Sequence, residues 1–255
     1  SPRGVPSAAS EVYKRPLPDR LLPDGPESGI SLLVRPRSAS TANGTERPAG
    51  ASPRRRLGLF GGTFDPVHLG HLAAANFCRE RFALDVVRLI TARNPPHKLA
   101  GARPSAAHRH AMVALAVAPF PHLEVSDLEL RRRGPSYTVD TLRAIQAREP
   151  DADLFFIVGS DTIAELPSWR RLDEIVRLAT IVTVVRPGAP RRYRAAAFPA
   201  LAAGEIARLN EFVVAMPLRG ESSTDIRARI AAGKPFRHLV PPGVADYIER
   251  HGLYR

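Results

Sequence analysis

Cysteine is all but absent from the 255-residue sequence: Cys78 stands alone. One thiol excludes an intramolecular disulfide and a zinc site built on several cysteines, and it suits a reducing cytoplasm. Lysine is nearly absent too, with Lys14, Lys98 and Lys234 the only three among 37 basic residues. The arginine excess reads as a bias of genome composition with little functional content. Long apolar runs are missing, since none approaches the ~18 consecutive residues that a membrane-spanning helix needs. No apolar stretch of the kind found in a secretory signal opens the chain. Acidic residues are outnumbered, 25 against 37, which leaves a net charge of +12. That balance favours anionic partners, whether nucleotides, nucleic acid or phosphorylated metabolites, without choosing among them. Aromatics make up only 6%, and no recognised nucleic-acid-binding motif or basic helix is present, which counts against a nucleic-acid-binding module. What remains is an ordinary soluble composition, 44% hydrophobic and 24% charged, long enough to bury a real core.

Residues 1–55 differ from the rest. They hold nine of the 25 prolines, one aromatic (Tyr13), and no hydrophobic periodicity beyond Ile30–Val34. Such a segment buries too little apolar surface to offset its ordering entropy, so a disordered Pro/Arg/Ser-rich extension is expected over 1–55 and a folded domain over 56–255.

The domain alternates strand-like and helix-like stretches. Strands are expected at Leu57–Phe60, Asp85–Thr91, Leu123–Leu130, Leu154–Val158, Thr180–Val185 and Phe212–Ala215. Helices are expected at Leu69–Phe82, Ser105–Ala118, Thr138–Arg148, Leu172–Leu178, Thr224–Ala232 and Val244–His251. Alternation of this kind implies an α/β fold, a mostly parallel doubly wound sheet covered by helices on both faces. Ligands of such sheets bind beyond the carboxyl ends of the strands, near the point where strand order reverses.

The richest segment lies there, after the first strand: Gly61-Gly62-Thr63-Phe64-Asp65-Pro66-Val67-His68-Leu69-Gly70-His71. The glycines admit close backbone approach, and the helix starting near Leu69 aims its N–H groups and dipole at the same place. His68 and His71, three residues apart, can bring two imidazoles to one point. They suit acid–base work, metal ligation, donation to phosphate, or capping alone. No third ligand stands at a metal-site spacing, and neither the P-loop nor the dinucleotide fingerprint fits. A second signal is Ser222-Ser223-Thr224-Asp225-Ile226-Arg227. Paired hydroxyls before a helix are a cap signature, yet with Arg227 one turn in they also form a cluster suited to a polyphosphate.

Together the two segments, Gly-Gly-Thr-Phe-Asp-Pro-x-His-x-Gly-His and Ser-Ser-Thr-x-Ile-Arg, resemble the Rossmann-like nucleotidyltransferase superfamily. Within it, the chain from about Arg56 onward is similar to the bacterial nicotinate-mononucleotide adenylyltransferases. Asn94-Pro95-Pro96-His97-Lys98, Ser136-Tyr137-Thr138, Gly159-Ser160-Asp161 and Leu166-Pro167-Ser168-Trp169-Arg170 agree. Cytidylyltransferases end in a different Ser/Thr-rich motif, and phosphopantetheine adenylyltransferases usually replace the first histidine. The resemblance implies transfer of the adenylyl group of ATP, with Mg²⁺, to nicotinate mononucleotide, as part of NAD biosynthesis. It implies that His68, His71 and Arg227 are catalytic. Gly61, Gly62, Thr63, Phe64, Gly159, Asp161, Ser223 and Thr224 join them in binding ATP, and Lys98, Tyr137, Thr138 and Trp169 serve the acceptor, with no metal held by protein ligands. An adenylyltransferase using nicotinamide mononucleotide or phosphopantetheine is the competing reading, and self-association is left open.

Bland readings stand beside these. Trp169 fits the core as well as a stacking role, Asp161 fits a helix cap, and Lys98 fits a solvated surface. Cys78, Met112 and Phe82 fall on apolar helix faces and are expected in the core. His108 and His110, flanking Arg109, read as a solvated basic face, and Arg131–Arg133 as a surface turn or an anion-attracting rim.

Overall fold

The computed structural model describes residues 53–94, 103–185, 190–216 and 221–255. The extension expected over 1–55 falls almost wholly outside the described residues, and Lys98 lies outside them too.

Six strands form one sheet: β1 (Arg56–Gly62), β2 (Val86–Thr91), β3 (Leu123–Ser126), β4 (Asp153–Gly159), β5 (Thr180–Val185) and β6 (Val213–Ala215). Their order is β3-β2-β1-β4-β5-β6 and each neighbouring pair is parallel. The strands are near-continuous apolar runs because both faces are covered. Within β4, Phe155 and Ile157 enter one core while Leu154, Phe156 and Val158 enter the other. The first core lies under α1 (Leu69–Arg81), α2 (Ala106–Val117), α7 (Ser223–Ala231) and α8 (Pro242–Arg250), and includes Cys78, Met112, Ile226 and Val244. The second lies under α4 (Thr138–Arg148), α5 (Leu172–Leu178) and α6 (Ala203–Glu211), with Leu142, Ile175 and Leu209. The protein is therefore an α/β, Rossmann-like, doubly wound domain. Cys78 and Met112 are fully buried, while Phe82 packs against the first core from a half-buried position.

Three expectations need correction. The strand expected over Leu123–Leu130 ends at Ser126, whose hydroxyl accepts from the Leu128 N–H at 3.3 Å. The remainder forms the short helix α3 (Leu128–Arg131), so Arg131 is helical rather than in a turn. Helix α6 has no counterpart among the expected elements: only Ile206 and Leu209 bury, and its start is capped by Glu205, which accepts from the Ala202 N–H at 2.8 Å. Finally, Arg109 is no part of a solvated face. It is 4% exposed, because the first turn of α2 lies beneath the loop that follows β1.

Candidate active site

Strand order reverses between β1 and β4, and the chain leaves their carboxyl ends in opposite directions. The loop leaving β1 is held in an unusual shape. Phe64 sits in the left-handed region at φ +48°, which costs a non-glycine residue about 1–3 kcal/mol. Its ring is buried edge-on to Phe60 at 5.7 Å and to His71 at 5.1 Å, and these contacts retain the conformation. The same ring explains Gly62: a Cβ there would stand 3.0 Å from the Phe64 ring.

His68 is the N-cap residue of α1 and is 4% exposed. Its ring lies against that of His71, with centroids 3.7 Å apart and a 35° tilt. The His68 backbone N–H donates to Nδ1 of His71 at 3.2 Å. An accepting Nδ1 carries no proton, so the neutral ring bears its proton on Nε2, which becomes a donor.

Helix α7 docks on this loop. Of its paired hydroxyls, Ser222 is the cap, accepting from the Asp225 N–H at 3.0 Å. Ser223 instead donates to the Pro66 carbonyl at 2.9 Å. Arg227 donates to the Asp65 carbonyl at 2.7 Å and to Thr224 Oγ1 at 3.2 Å. The two sequence signals, about 160 residues apart, are thus one structure.

Charge around the loop centres on Asp65, 2% exposed. Tyr254 donates to its Oδ1 at 2.9 Å, while Oδ2 faces Arg103 at 3.5 Å and Arg227 at 3.8 Å. Arg109 donates to the Thr63 carbonyl at 2.6 Å and to the Arg93 carbonyl at 3.2 Å. Burial pulls the Arg109 pKa below its ordinary value against the opposing pull of Asp65. Three guanidiniums around one carboxylate leave an excess of positive charge facing the loop, which suits a polyphosphate.

A second group lies on the other side of the sheet. Gly159 ends β4 and caps a single 3₁₀ turn, Ser160–Ala164, in which Ser160 is fully buried and Asp161 is exposed. Asp161 is therefore not the cap. Tyr137 and Trp169 both pack half-buried against the second core. Arg170 sits over the Tyr137 ring at 5.1 Å. Trp169 meets Phe156 edge-on at 6.1 Å, and Phe156 in turn approaches within 3.3 Å of where a Cβ on Gly61 would lie. Thr138 opens α4. The Ser136 hydroxyl accepts from the N–H groups of Arg93 and Asn94 at 3.1 and 3.4 Å, which staples the loop after β2 to this segment. Behind it the buried Glu129 accepts from Thr141 Oγ1 at 2.6 Å, and burial pushes its carboxyl pKa up. Arg132 donates to Thr141 and to the Tyr137 carbonyl, so this part of the basic turn supports the segment from below.

The structure thus gathers His68, His71, Ser223, Thr224 and Arg227 around the Thr63–Pro66 loop, and Tyr137, Thr138 and Trp169 into a second cluster. Sequence reasoning missed Arg103, Arg109 and Tyr254 and gave Asp65 no role. Arg109 was legible: with Met112, Val113, Ala116 and Val117 it follows the i, i+3, i+4, i+7, i+8 spacing of a buried stripe. Nothing in the sequence marks Tyr254. Among the described residues no three histidine, cysteine or carboxylate side chains gather as a metal cage, and no helix is long and apolar enough to cross a membrane.

Comparison with known proteins agrees with this architecture. A cytidylyltransferase-like family model matches residues 59–229. The probable nicotinate-nucleotide adenylyltransferase of Thermus thermophilus is 45% identical over 200 residues, covering 78% of this chain and all of the relative. That of Desulfitobacterium hafniense is 42% identical over 210 residues, covering 80% of this chain and 98% of the relative. The fold matches a solved nicotinic acid mononucleotide adenylyltransferase of Plasmodium falciparum, complexed with NaAD, at TM-score 0.62 and 18% identity, covering 78% of this chain and 97% of that one. With the two histidines, the docked Arg227 and relatives matched along nearly their full length, the chain belongs to the nicotinate-nucleotide adenylyltransferase family.

Proposed function

We propose that this protein transfers the adenylyl group of ATP to nicotinate mononucleotide, releasing pyrophosphate and forming nicotinate adenine dinucleotide in NAD biosynthesis. A phosphate oxygen of the mononucleotide attacks the α-phosphorus, and the bond from that phosphorus to the bridging oxygen of the β-phosphate breaks. The attacking phosphate is already anionic at neutral pH, so no strong general base is required. The protein's task is alignment and charge cancellation. The observation that carries the reading is the histidine pair: it stands at the strand-order reversal with an Nε2–H donor on His71, and Arg227 is anchored to the same loop. In this reading His68 and His71 donate to the reacting phosphate, with Gly61, Gly62, Thr63 and Phe64 shaping the approach. Ser223, Thr224 and Arg227 hold the β- and γ-phosphates.

The donor set of this site is cationic and imidazole-rich, and the buried Asp65 carboxylate is taken up by Tyr254 and arginines. It fits Mg²⁺ arriving on ATP, held by phosphate oxygens and water, rather than a resident ion. The ion would then supply charge neutralisation between the phosphates.

Gly159 and Asp161 serve the ATP ribose, and Trp169 stacks on the pyridine ring. Tyr137, Thr138 and Lys98 favour its carboxylate. The single buried thiol accords with a reducing, cytoplasmic setting.

The test is pyrophosphate release from ATP with nicotinate mononucleotide, nicotinamide mononucleotide or phosphopantetheine as acceptor. Release that depends on the nicotinate compound, with the amide poorer, is expected. Release with phosphopantetheine alone refutes the reading, and equal use of acid and amide refutes the carboxylate preference. His71→Ala should lower kcat by ~10²-fold or more, as loss of a transition-state donor does elsewhere, with ATP affinity nearly kept.

A further inference from the structure

We propose that Tyr254 is a positioning residue for adenylyl transfer: its hydroxyl keeps Oδ1 of the buried Asp65 carboxylate occupied, so that Arg227 stays presented to the polyphosphate of ATP. This rests on Arg227 being a phosphate-holding residue.

Arg227 touches Asp65 in two ways of unequal strength. Nη1 donates to the Asp65 backbone carbonyl at 2.7 Å, whereas the carboxylate Oδ2 stands off at 3.8 Å. The second distance is an ion pair without a hydrogen bond. The carboxylate is desolvated, and its closest partner is the Tyr254 hydroxyl, 2.9 Å from Oδ1. Burial, and then the adjacent Asp65 charge, push the Tyr254 phenol well above its ordinary pKa, so it remains the donor. Arg109, the third guanidinium nearby, is committed to the Thr63 and Arg93 carbonyls. Arg103 and Arg227 are the two with room to move, their side chains being 30% and 27% exposed.

Remove the hydroxyl and Oδ1 loses its donor inside the protein. A buried unpaired carboxylate oxygen is costly, and the available remedy is a charge-assisted bond to one of the two mobile guanidiniums beside it, Arg103 or Arg227. Each such bond that Arg227 makes to Asp65 must be broken before it can hold phosphate. The hydroxyl of a residue just beyond α8 therefore sets how tightly ATP binds at a loop nearly 190 residues earlier in the chain.

Steady-state pyrophosphate release by the full chain tests this, alongside thermal melting. Tyr254→Phe should raise the KM for ATP by about 5- to 20-fold, the range expected when a hydrogen bond to a charged group is lost in part. Acceptor KM should stay within about twofold and the melting temperature within ~2 °C, since ring packing is kept. Asp65→Asn removes the competing charge, so adding Tyr254→Phe to it should raise ATP KM no further. If Asp65→Asn fails to fold, pyrophosphate inhibition reports the same competition, its Ki rising in step with ATP KM in Tyr254→Phe. The inference is overturned if ATP KM is unchanged, if both KM values rise together with a lower melting temperature, if the single and double backgrounds respond alike, or if the Ki does not move. Arg227→Ala separates the two claims. Unchanged ATP KM in that variant sinks the phosphate-holding reading and this inference with it. A large rise there, with Tyr254→Phe silent, sinks the inference alone.

Discussion

Gly70→Ala should leave stability almost untouched and still slow the reaction. A Cβ at position 70 would lie 3.1 Å from His68 Nδ1, 3.2 Å from its Cε1 and 3.5 Å from Glu221 Oε2. Ordinary contact begins near 3.4 Å, so the His68 ring must yield by ~0.3 Å. It has little freedom to do so, being buried with its face against His71 at a 3.7 Å centroid separation. On the other side of the balance, alanine in a helix is favoured over glycine by up to about 1 kcal/mol, less in the first turn. The two effects oppose each other, so the melting temperature should move by no more than ~3 °C. Activity has no such compensation. A displacement of 1 Å can cost ~10²-fold, so a few tenths of an ångström at a reacting phosphate should cost roughly 3- to 10-fold in kcat. The assay is pyrophosphate release at saturating ATP and acceptor, with calorimetry on the same samples. Gly204→Ala is the control. It lies in α6 with nothing within 4 Å of its added Cβ, so it should raise stability slightly and leave kcat alone. A Gly70→Ala protein with full kcat would show that the position of His68 does not govern the chemistry.

Trp169→Ala should raise acceptor KM by about 5- to 150-fold, the value of one aromatic stack, while ATP KM stays put; equal changes in both would mark the ring as packing only. Thr141→Val strips the buried Glu129 of a 2.6 Å donor; at about 1–3 kcal/mol the melting temperature should fall by ~3–9 °C, and an unchanged value refutes the account. Burial lowers the pKa of His110, whose Nδ1 faces Thr91 Oγ1 at 3.4 Å. The fold keeps the ring neutral, so its contribution is present above the unfolded value of about 6.5 and is lost as pH falls through the lower folded pKa. His110→Gln should therefore lose less stability between pH 7.5 and 5.5 than the unaltered protein, by urea midpoint, with His122, also lowered by burial, retaining part of the slope. Equal losses would refute the assignment.

Much of the frame could be read from the chain because local rules and tertiary demands coincide. Thr138–Arg148, Leu172–Leu178 and Thr180–Val185 have the observed bounds, since the apolar positions in each are the ones that bury. The strand overrun at Leu128–Leu130 shows the limit: apolar and charged residues alternate there as in a strand, yet a serine side chain turns the backbone. In the site, the motif residues were visible because glycines, histidines and hydroxyls at fixed spacing are rare combinations. Ser222 and Ser223 looked alike in sequence, and only the docking of α7 on Pro66 gives them different work. Tyr254 was invisible because its partner is set by tertiary contact alone. Arg109 was visible in principle, but between His108 and His110 it read as part of a solvated basic face rather than of the buried stripe.

The pairing of β1 with both neighbours carries a consequence for assembly. Leu57 meets Val86 across 29 residues, whereas Arg56 meets Asp153 across 97. By loop-closure entropy the longer contact costs about 1 kcal/mol more to form, so β1 and β2 should zip first and β4 should dock onto a half-built sheet. During synthesis the histidine loop can thus exist well before the arginine that docks on it: Arg227 is made more than 150 residues after His71. A nascent chain holds the loop with nothing docked on it. The site is completed late, when α7 reaches back to Asp65 and Pro66.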